Sequence, residues 1–362
     1  MDFFELLKLS IGSIQQSSML QSESDWAALH ETAKRQALIG VIFSGIKKLP
    51  ENMRPSKQLL LQWFMEAERI RKLNEKYNAT AVNVTTMFDQ AGIDNCILKG
   101  QGNALMYDDP FVRIPGDIDI WINPSKVVVS DGKLLVGDRQ LPVEKISYRH
   151  IEVGRFEGIE LEVHLRPSFM NNLIVNSRLQ RWFDEQAESQ FRHSVEVEGS
   201  DGYIHVPTVE FNLVYQLCHI TNHFFYEGIG LRQFVDYYYL LKKARQTGAD
   251  KDRVLHLIKV LGLLRMARAV MYVEQHLLGL DDCSLLVPAE ARRGEFLVNE
   301  IMLSGNFGQY DERVKVFSRR TAFGRNIERL RRDFRLMWLF PSESLWEPVF
   351  RLYHYLWRVK NG

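Results

Sequence analysis

Six consecutive residues, Asp117-Ile118-Asp119-Ile120-Trp121-Ile122, alternate polar and apolar, which is the twofold side-chain repeat of a β-strand. Both aspartates therefore leave one face of the strand, while Ile118, Ile120 and Ile122 leave the other and need a core to pack on. Two carboxylates side by side repel each other unless a cation sits between them. Hard oxygen ligands suit magnesium or manganese, and such sites commonly complete their coordination with substrate phosphates. A second run, Ile159-Glu160-Leu161-Glu162-Val163-His164-Leu165, has the same alternation and puts Glu160, Glu162 and His164 on one face. If the two strands are neighbours, Glu162 or Glu160 supplies a third acid able to hold metal and accept a proton from an attacking hydroxyl. At the strand's start, Glu160 reads better as a solvated acid.

Upstream, Ile97-Leu98-Lys99-Gly100-Gln101-Gly102 reads as a short buried strand entering a glycine turn, with a helical stretch expected over Asn103–Tyr107. A glycine lets backbone N–H groups approach an anion closely, and the start of the following helix presents its positive end to the same place. Arg113 and the Pro115-Gly116 turn then lead into Asp117, where Arg113 can neutralise a phosphate oxygen as charge builds.

The rest of the chain frames this segment. Up to about residue 90, apolar residues recur at helical spacing and Pro50 and Pro55 break the pattern; Ile70–Gln90 reads as one long scaffold helix ending near Gly92. From Asp94 to about Val206, short Ile- and Val-rich runs alternate with Gly, Pro, Asn and Asp: residues 96–98, 118–122, 127–129, 145–153, 159–165 and 194–197. Beyond Pro207 helical periodicity returns, with Thr208 as a candidate cap and one helix expected from Thr208 to about Ala244. The expected fold is α+β, with a helical region over 1–90, a mixed-sheet α/β core over 91–206 and a second helical region over 207–362. His219 and His223 stand at i,i+4, as do Arg232 and Asp236, which are expected to form a salt bridge. The Arg-rich stretch from Arg313 to Arg335, interleaved with Phe317, Phe323 and Phe334, reads as an amphipathic helical layer rather than a nucleic-acid or membrane surface.

Charge and cysteine usage narrow the partners. Lys and Arg total 46 against 45 for Asp and Glu, so no global field calls for nucleic acid as an obligate partner. Cys96, Cys218 and Cys283 form no CxxC pair, and no stretch reaches the roughly 18 uncharged apolar residues of a spanning helix. The opening Met-Asp-Phe-Phe-Glu reverses the basic start of a signal peptide, so a reducing, cytoplasmic setting is expected.

Taken together, Leu98-Lys99-Gly100, Tyr107, Arg113-x-x-Gly116-Asp117-x-Asp119 and Glu162-x-His164 resemble the nucleotidyltransferase-like superfamily. In particular they resemble the uncharacterised bacterial nucleotidyltransferase family with LKG, R-x-x-GD-x-D and D-x-H signatures; the resemblance extends over about residues 91–245 and takes in the H-x-x-x-H and R-x-x-x-D pairs. It implies transfer of a nucleoside monophosphate from an NTP to an acceptor hydroxyl on a small molecule or protein, with magnesium or manganese as cofactor and pyrophosphate released. By position, Asp117, Asp119 and Glu162 would be the metal-binding and catalytic acids. Lys99, Gly100, Gln101, Arg113, Gly116 and His164 would surround the nucleotide, and His223 would either face it or serve structure alone. Glu162 stands where the family has Asp, which lengthens its reach. The alternative is a catalytically quiet nucleotide-binding or regulatory module, such as a toxin–antitoxin-like component or partner subunit. Retention of all three acids favours the enzyme, because clustered carboxylates without a cation destabilise a fold.

Overall fold

The computed structural model describes residues 1–15, 25–311, 313 and 322–361. Among the described residues the chain leads in with α1 (Phe3–Ser10), α2 (Trp26–Arg35), α3 (Ile39–Lys48) and α4 (Lys57–Gln90). The last is longer than the expected scaffold helix. Its Ser56 cap accepts from the Leu59 N–H, well before Ile70.

A five-stranded sheet follows, built from β1 (Asn95–Ile97), β2 (Ile118–Ile122), β6 (Lys145–Ile146), β7 (His150–Phe156) and β8 (Ile159–His164) in the order β1-β2-β8-β7-β6. The sheet is mixed: β2 and β8 are parallel and the other pairs antiparallel. In the β2–β8 register Asp119 is opposite Glu162 and Trp121 opposite His164. The two alternating segments are thus adjacent strands, with their acidic faces aligned. A separate meander, β3 (Val128–Ser130), β4 (Lys133–Val136) and β5 (Arg139–Pro142), inserts after β2 and buries Leu134, Val136 and Leu141. The run expected as one strand over 145–153 is broken by a turn at 147–149, where the Ser147 hydroxyl bonds to the His150 backbone.

The two faces of the sheet meet different cores. Ile118, Ile120, Ile122, Leu161 and Val163 cluster with Ala81, Val84 and Phe88 of α4. On the opposite face Trp121 stacks on Phe211 (centroids 5.7 Å apart, 13° between planes) and meets Phe183 and Phe191. Phe183 and Phe191 belong to a helix inside the segment expected to be strands and turns, which is capped by Asn172 and runs Leu173–Phe191. It is numbered α6, after the single-turn α5 (Gln101–Ala104) that follows β1. A two-stranded ribbon, β9 (Ser194–Glu196) with β10 (Tyr203–His205), precedes α7 (Val209–Tyr226).

The single helix expected from Thr208 to Ala244 is two, α7 and α8 (Leu231–Thr247). Gly228 between them has φ +105°, and a Cβ there would lie 2.9 Å from the Gly308 backbone; the close approach of residues 305–308 forces the break. Nor does the Thr208 side chain cap α7: its hydroxyl donates instead to Gln190 Oε1 at 3.1 Å. The chain continues through α9 (Lys251–Val260), α10 (Leu264–Tyr272), α11 (Ala291–Ser304), α12 (Ala322–Leu336) and α13 (Pro341–Asn361). Of the arginine-rich stretch, 314–321 lie outside the described residues; its later part is α12, whose Phe334 is exposed. N- and C-terminal helices contribute to one apolar cluster that includes Leu6, Leu38, Trp63, Leu213 and Val270. Among the described residues no helix is long and apolar enough to cross a membrane.

Candidate active site

β2 and β8 carry their carboxylates toward α7 and α8, on the face where Trp121 packs. Oxygens of Asp117, Asp119 and Glu162 come within 4.8 Å of one another. Asp119 is the most enclosed, 3% exposed, with Oδ2 2.9 Å from Lys99 Nζ and Oδ1 2.7 Å from His164 Nε2. Burial alone would raise its pKa, but the Lys99 and His164 charges hold it well below the usual carboxylate range. Among the described residues Asp117 forms no such ion pair, and its pKa is raised, first by the Asp119 charge and then by burial, against the pull of Lys99.

Glu162 faces a different set of groups. Its Oε2 lies 3.2 Å from His150 Nδ1, 3.4 Å from His164 Nε2 and 3.9 Å from Arg149 Nη2. Against the effect of burial, His164 holds its pKa at about 2. His164 is itself raised, since its hydrogen bonds to Asp119 and Glu162 outweigh its own burial. His150 is pushed down to about 4, first by burial and then by the His164 charge, which outweigh its contacts with Glu162 and Glu152. Glu162 is therefore shared between two sets of possible metal ligands, Asp117/Asp119/Glu162 and His150/Glu162/His164. Glu160 is turned outward beside Arg155, 3.6 Å away, as its place at the strand's start suggests.

The Gly100 turn lies beside the acids. Gly100 has φ +56° and ψ −109°, a conformation that favours glycine whatever the space around it. The helix after it, α5, is a single turn and earlier than the expected 103–107, so it adds little dipole. Lys99, Gly100 and Gly116 line the same cavity as Asp117 and Asp119. Gln101 is turned away, its amide bonded to Asn74 and Asn78 of α4.

Arg113 also lines the cavity, but its guanidinium is committed elsewhere. Nε and Nη2 donate to the two oxygens of Asp236 at 2.7 and 2.8 Å. Asp236 further accepts from the Tyr107 hydroxyl at 2.6 Å and Asn103 Nδ2 at 3.3 Å. The expected Arg232–Asp236 bridge is therefore replaced by Arg113–Asp236: a bidentate fork from the loop out-competes the neighbour one helical turn away. Arg232 donates instead to the Ile114 carbonyl at 2.9 Å. The Arg113 loop is pinned from α4 by Asn74, whose Nδ2 donates to the carbonyls of Phe111 and Arg113 at 3.0 and 2.8 Å. Asn74 left no signal in the sequence beyond a polar residue on a helix's inner face. His223 pairs with Glu227 at 3.0 Å, while His219, edge-on to it at 4.2 Å, is the histidine that lines the cavity.

A mixed sheet with paired aspartates on one strand, a third acid on its parallel neighbour and a glycine turn alongside defines a nucleotidyltransferase-like protein. Residues 22–279 match the family described as "Uncharacterised nucleotidyltransferase", well over half of the chain, and the chain belongs to that family. Membership gives it a general role in nucleotidyl transfer. A crystal structure of an antigenic nucleotidyltransferase-like protein from Paracoccidioides brasiliensis is 15% identical, with 62% of this chain and 95% of that one covered at a TM-score of 0.30; so loose a superposition carries no argument. No curated protein matches.

Proposed function

We propose that the protein is a metal-dependent nucleotidyltransferase that moves a nucleoside monophosphate from an NTP onto an acceptor hydroxyl of a small molecule or protein. The observation that carries this reading is the convergence of the Asp117, Asp119 and Glu162 oxygens within 4.8 Å. Their donor chemistry fits a divalent cation: all are oxygen ligands, and the raised pKa of Asp117 reflects first the Asp119 charge, which the Lys99 ammonium offsets only in part. Asp117, Asp119 and Glu162 would hold magnesium or manganese, which when bound screens the triphosphate charge and acidifies the acceptor hydroxyl.

The chain's own residues supply the rest. As the acceptor oxygen bonds to the α-phosphorus and the bond to pyrophosphate breaks, the hydroxyl proton passes to Glu162, whose low pKa marks it as ionised beforehand. His164, bonded to Asp119 and close to Glu162, holds both carboxylates in place. Lys99, Gly100 and Gly116, which line the cavity beside the acids, would border the triphosphate.

The alternative, a quiet nucleotide-binding module, draws on Lys99, whose ammonium already neutralises one oxygen of Asp119. Thermal melts with each of the four ribonucleoside triphosphates, with and without magnesium or manganese, separate the two. The transferase reading expects a rise in melting temperature that needs both nucleotide and metal. A nucleotide shift indifferent to metal supports the quiet module, and no shift in any combination removes both.

A further inference from the structure

Arg232 is the second residue of α8 and is 6% exposed. It lines the cavity shared by Asp117, Asp119, Lys99 and Gly100. Its Nη1 donates to one backbone carbonyl and its Cζ lies 5.5 Å from the Phe307 ring centroid, but its Nε is buried without a hydrogen-bond partner. Among the described residues it forms no ion pair, because Asp236, the carboxylate one turn along the helix, is taken by Arg113. Burial, then the Arg113 charge, depress its pKa to about 10. It remains a cation at neutral pH.

An arginine buried without an anion is costly, and retaining one at a cavity wall needs a reason. The surroundings supply the missing half. Arg232 stands in the first turn of a 17-residue helix, whose dipole adds positive potential near the cavity, while the Leu231 N–H is taken by Gln36 Oε1 at 2.9 Å. Gly116 keeps the approach open: a Cβ there would stand 3.9 Å from both terminal nitrogens of Arg232. A bare carboxylate ligand would meet the repulsion of Asp117 and Asp119, whereas a polyphosphate arriving with its divalent cation would satisfy acids and arginine together.

We propose that Arg232, and not Arg113, is the arginine that binds the triphosphate of the nucleotide, gripping the phosphates that leave as pyrophosphate. The proposal rests on the nucleotide-binding reading of this cavity. The two arginines then differ in what they hold. Arg113 grips Asp236, and with it the loop before Asp117, while Arg232, held by Nη1 to the Ile114 carbonyl, keeps its other donors for the ligand.

Calorimetric titration of the full-length protein tests it, using the four ribonucleoside triphosphates and inorganic tripolyphosphate, each with magnesium, against wild type, Arg232→Met and Arg232→Lys. Arg232→Met is expected to weaken both the favoured NTP and tripolyphosphate at least tenfold while its melting temperature without ligand holds or rises, because a buried unpaired charge has gone. Arg232→Lys should recover part of the binding. A merely structural arginine would instead lower the ligand-free melting temperature. Unchanged NTP affinity in Arg232→Met overturns the assignment and leaves the nucleotide reading standing. Arg232-dependent binding of tripolyphosphate with no NTP bound keeps the anion site and removes the nucleotide reading. Binding of neither by wild type, or loss of binding together with loss of ligand-free stability, overturns the proposal.

Discussion

Of the three aspartates that line one cavity, Asp117, Asp119 and Asp236, neutralising the first and the last should have opposite effects on stability. Asp236 is 3% exposed and accepts two hydrogen bonds from Arg113 and one each from Tyr107 and Asn103. Asp236→Asn keeps the shape but removes the charge and turns an amide N–H₂ toward groups that are themselves donors. Arg113, 5% exposed, is left without its counter-charge. Breaking one side of a buried ion pair costs about 3–5 kcal/mol. With an unfolding entropy of about 2.1 cal/mol/K per residue, a chain of 362 residues melting as one unit should lose roughly 4–7 °C. Asp117→Asn removes a charge for which the Asp119 repulsion and burial outweigh the attraction of Lys99, so its melting temperature in metal-free buffer should hold or rise. Calorimetric melts of the two variants beside wild type, with chelator present, make the comparison. A stable Asp236→Asn beside a destabilised Asp117→Asn would refute the division into a structural and a ligand-facing carboxylate.

Glu162→Gln should keep a metal-dependent NTP thermal shift but lose nearly all pyrophosphate release, whereas Glu160→Gln, on the exposed side near Arg155, should lose little of either; a reversal would put the wrong acid in the site. Gly100→Ala, at φ +56°, should cost about 1–3 kcal/mol in denaturant unfolding through backbone strain, and a neutral result would mean the turn readily relaxes. Glu343 of α13 accepts from the Asn171 N–H at 2.7 Å, and burial pushes its pKa up to about 7. Its folded-state pKa lies above the unfolded value of about 4.3, so the folded state binds more protons between them and stability should fall as pH rises from about 4.3 to about 7. Melting temperatures across that range should show this slope in wild type and a shallower one in Glu343→Gln; identical slopes would remove Glu343 as the cause.

The acids were legible because a strand's period is local: alternation alone puts Asp117 and Asp119 on one face and Glu162 on a matching one. Their register was not, since the placement of Asp119 opposite Glu162 depends on how two strands far apart in sequence come together. The same limit explains the arginines. Spacing on α8 pairs Arg232 with Asp236, but Arg113 arrives from a distant loop with better geometry. The missed α6 carries Leu179, Trp182 and Phe183 at helical spacing, a signal obscured by the strand-like runs on either side. The break after α7 was hidden because the strongest reason for Gly228 is contact with Gly308, far along the chain.

The most direct test of a metal centre at these three acids is manganese binding followed by electron paramagnetic resonance, with and without each ribonucleoside triphosphate, in wild type and Asp117→Asn. The account predicts manganese bound to wild type, more tightly with one of the nucleotides present, and at least tenfold weaker binding in the variant. Equal binding by the two proteins, or none by wild type under any condition, would contradict it.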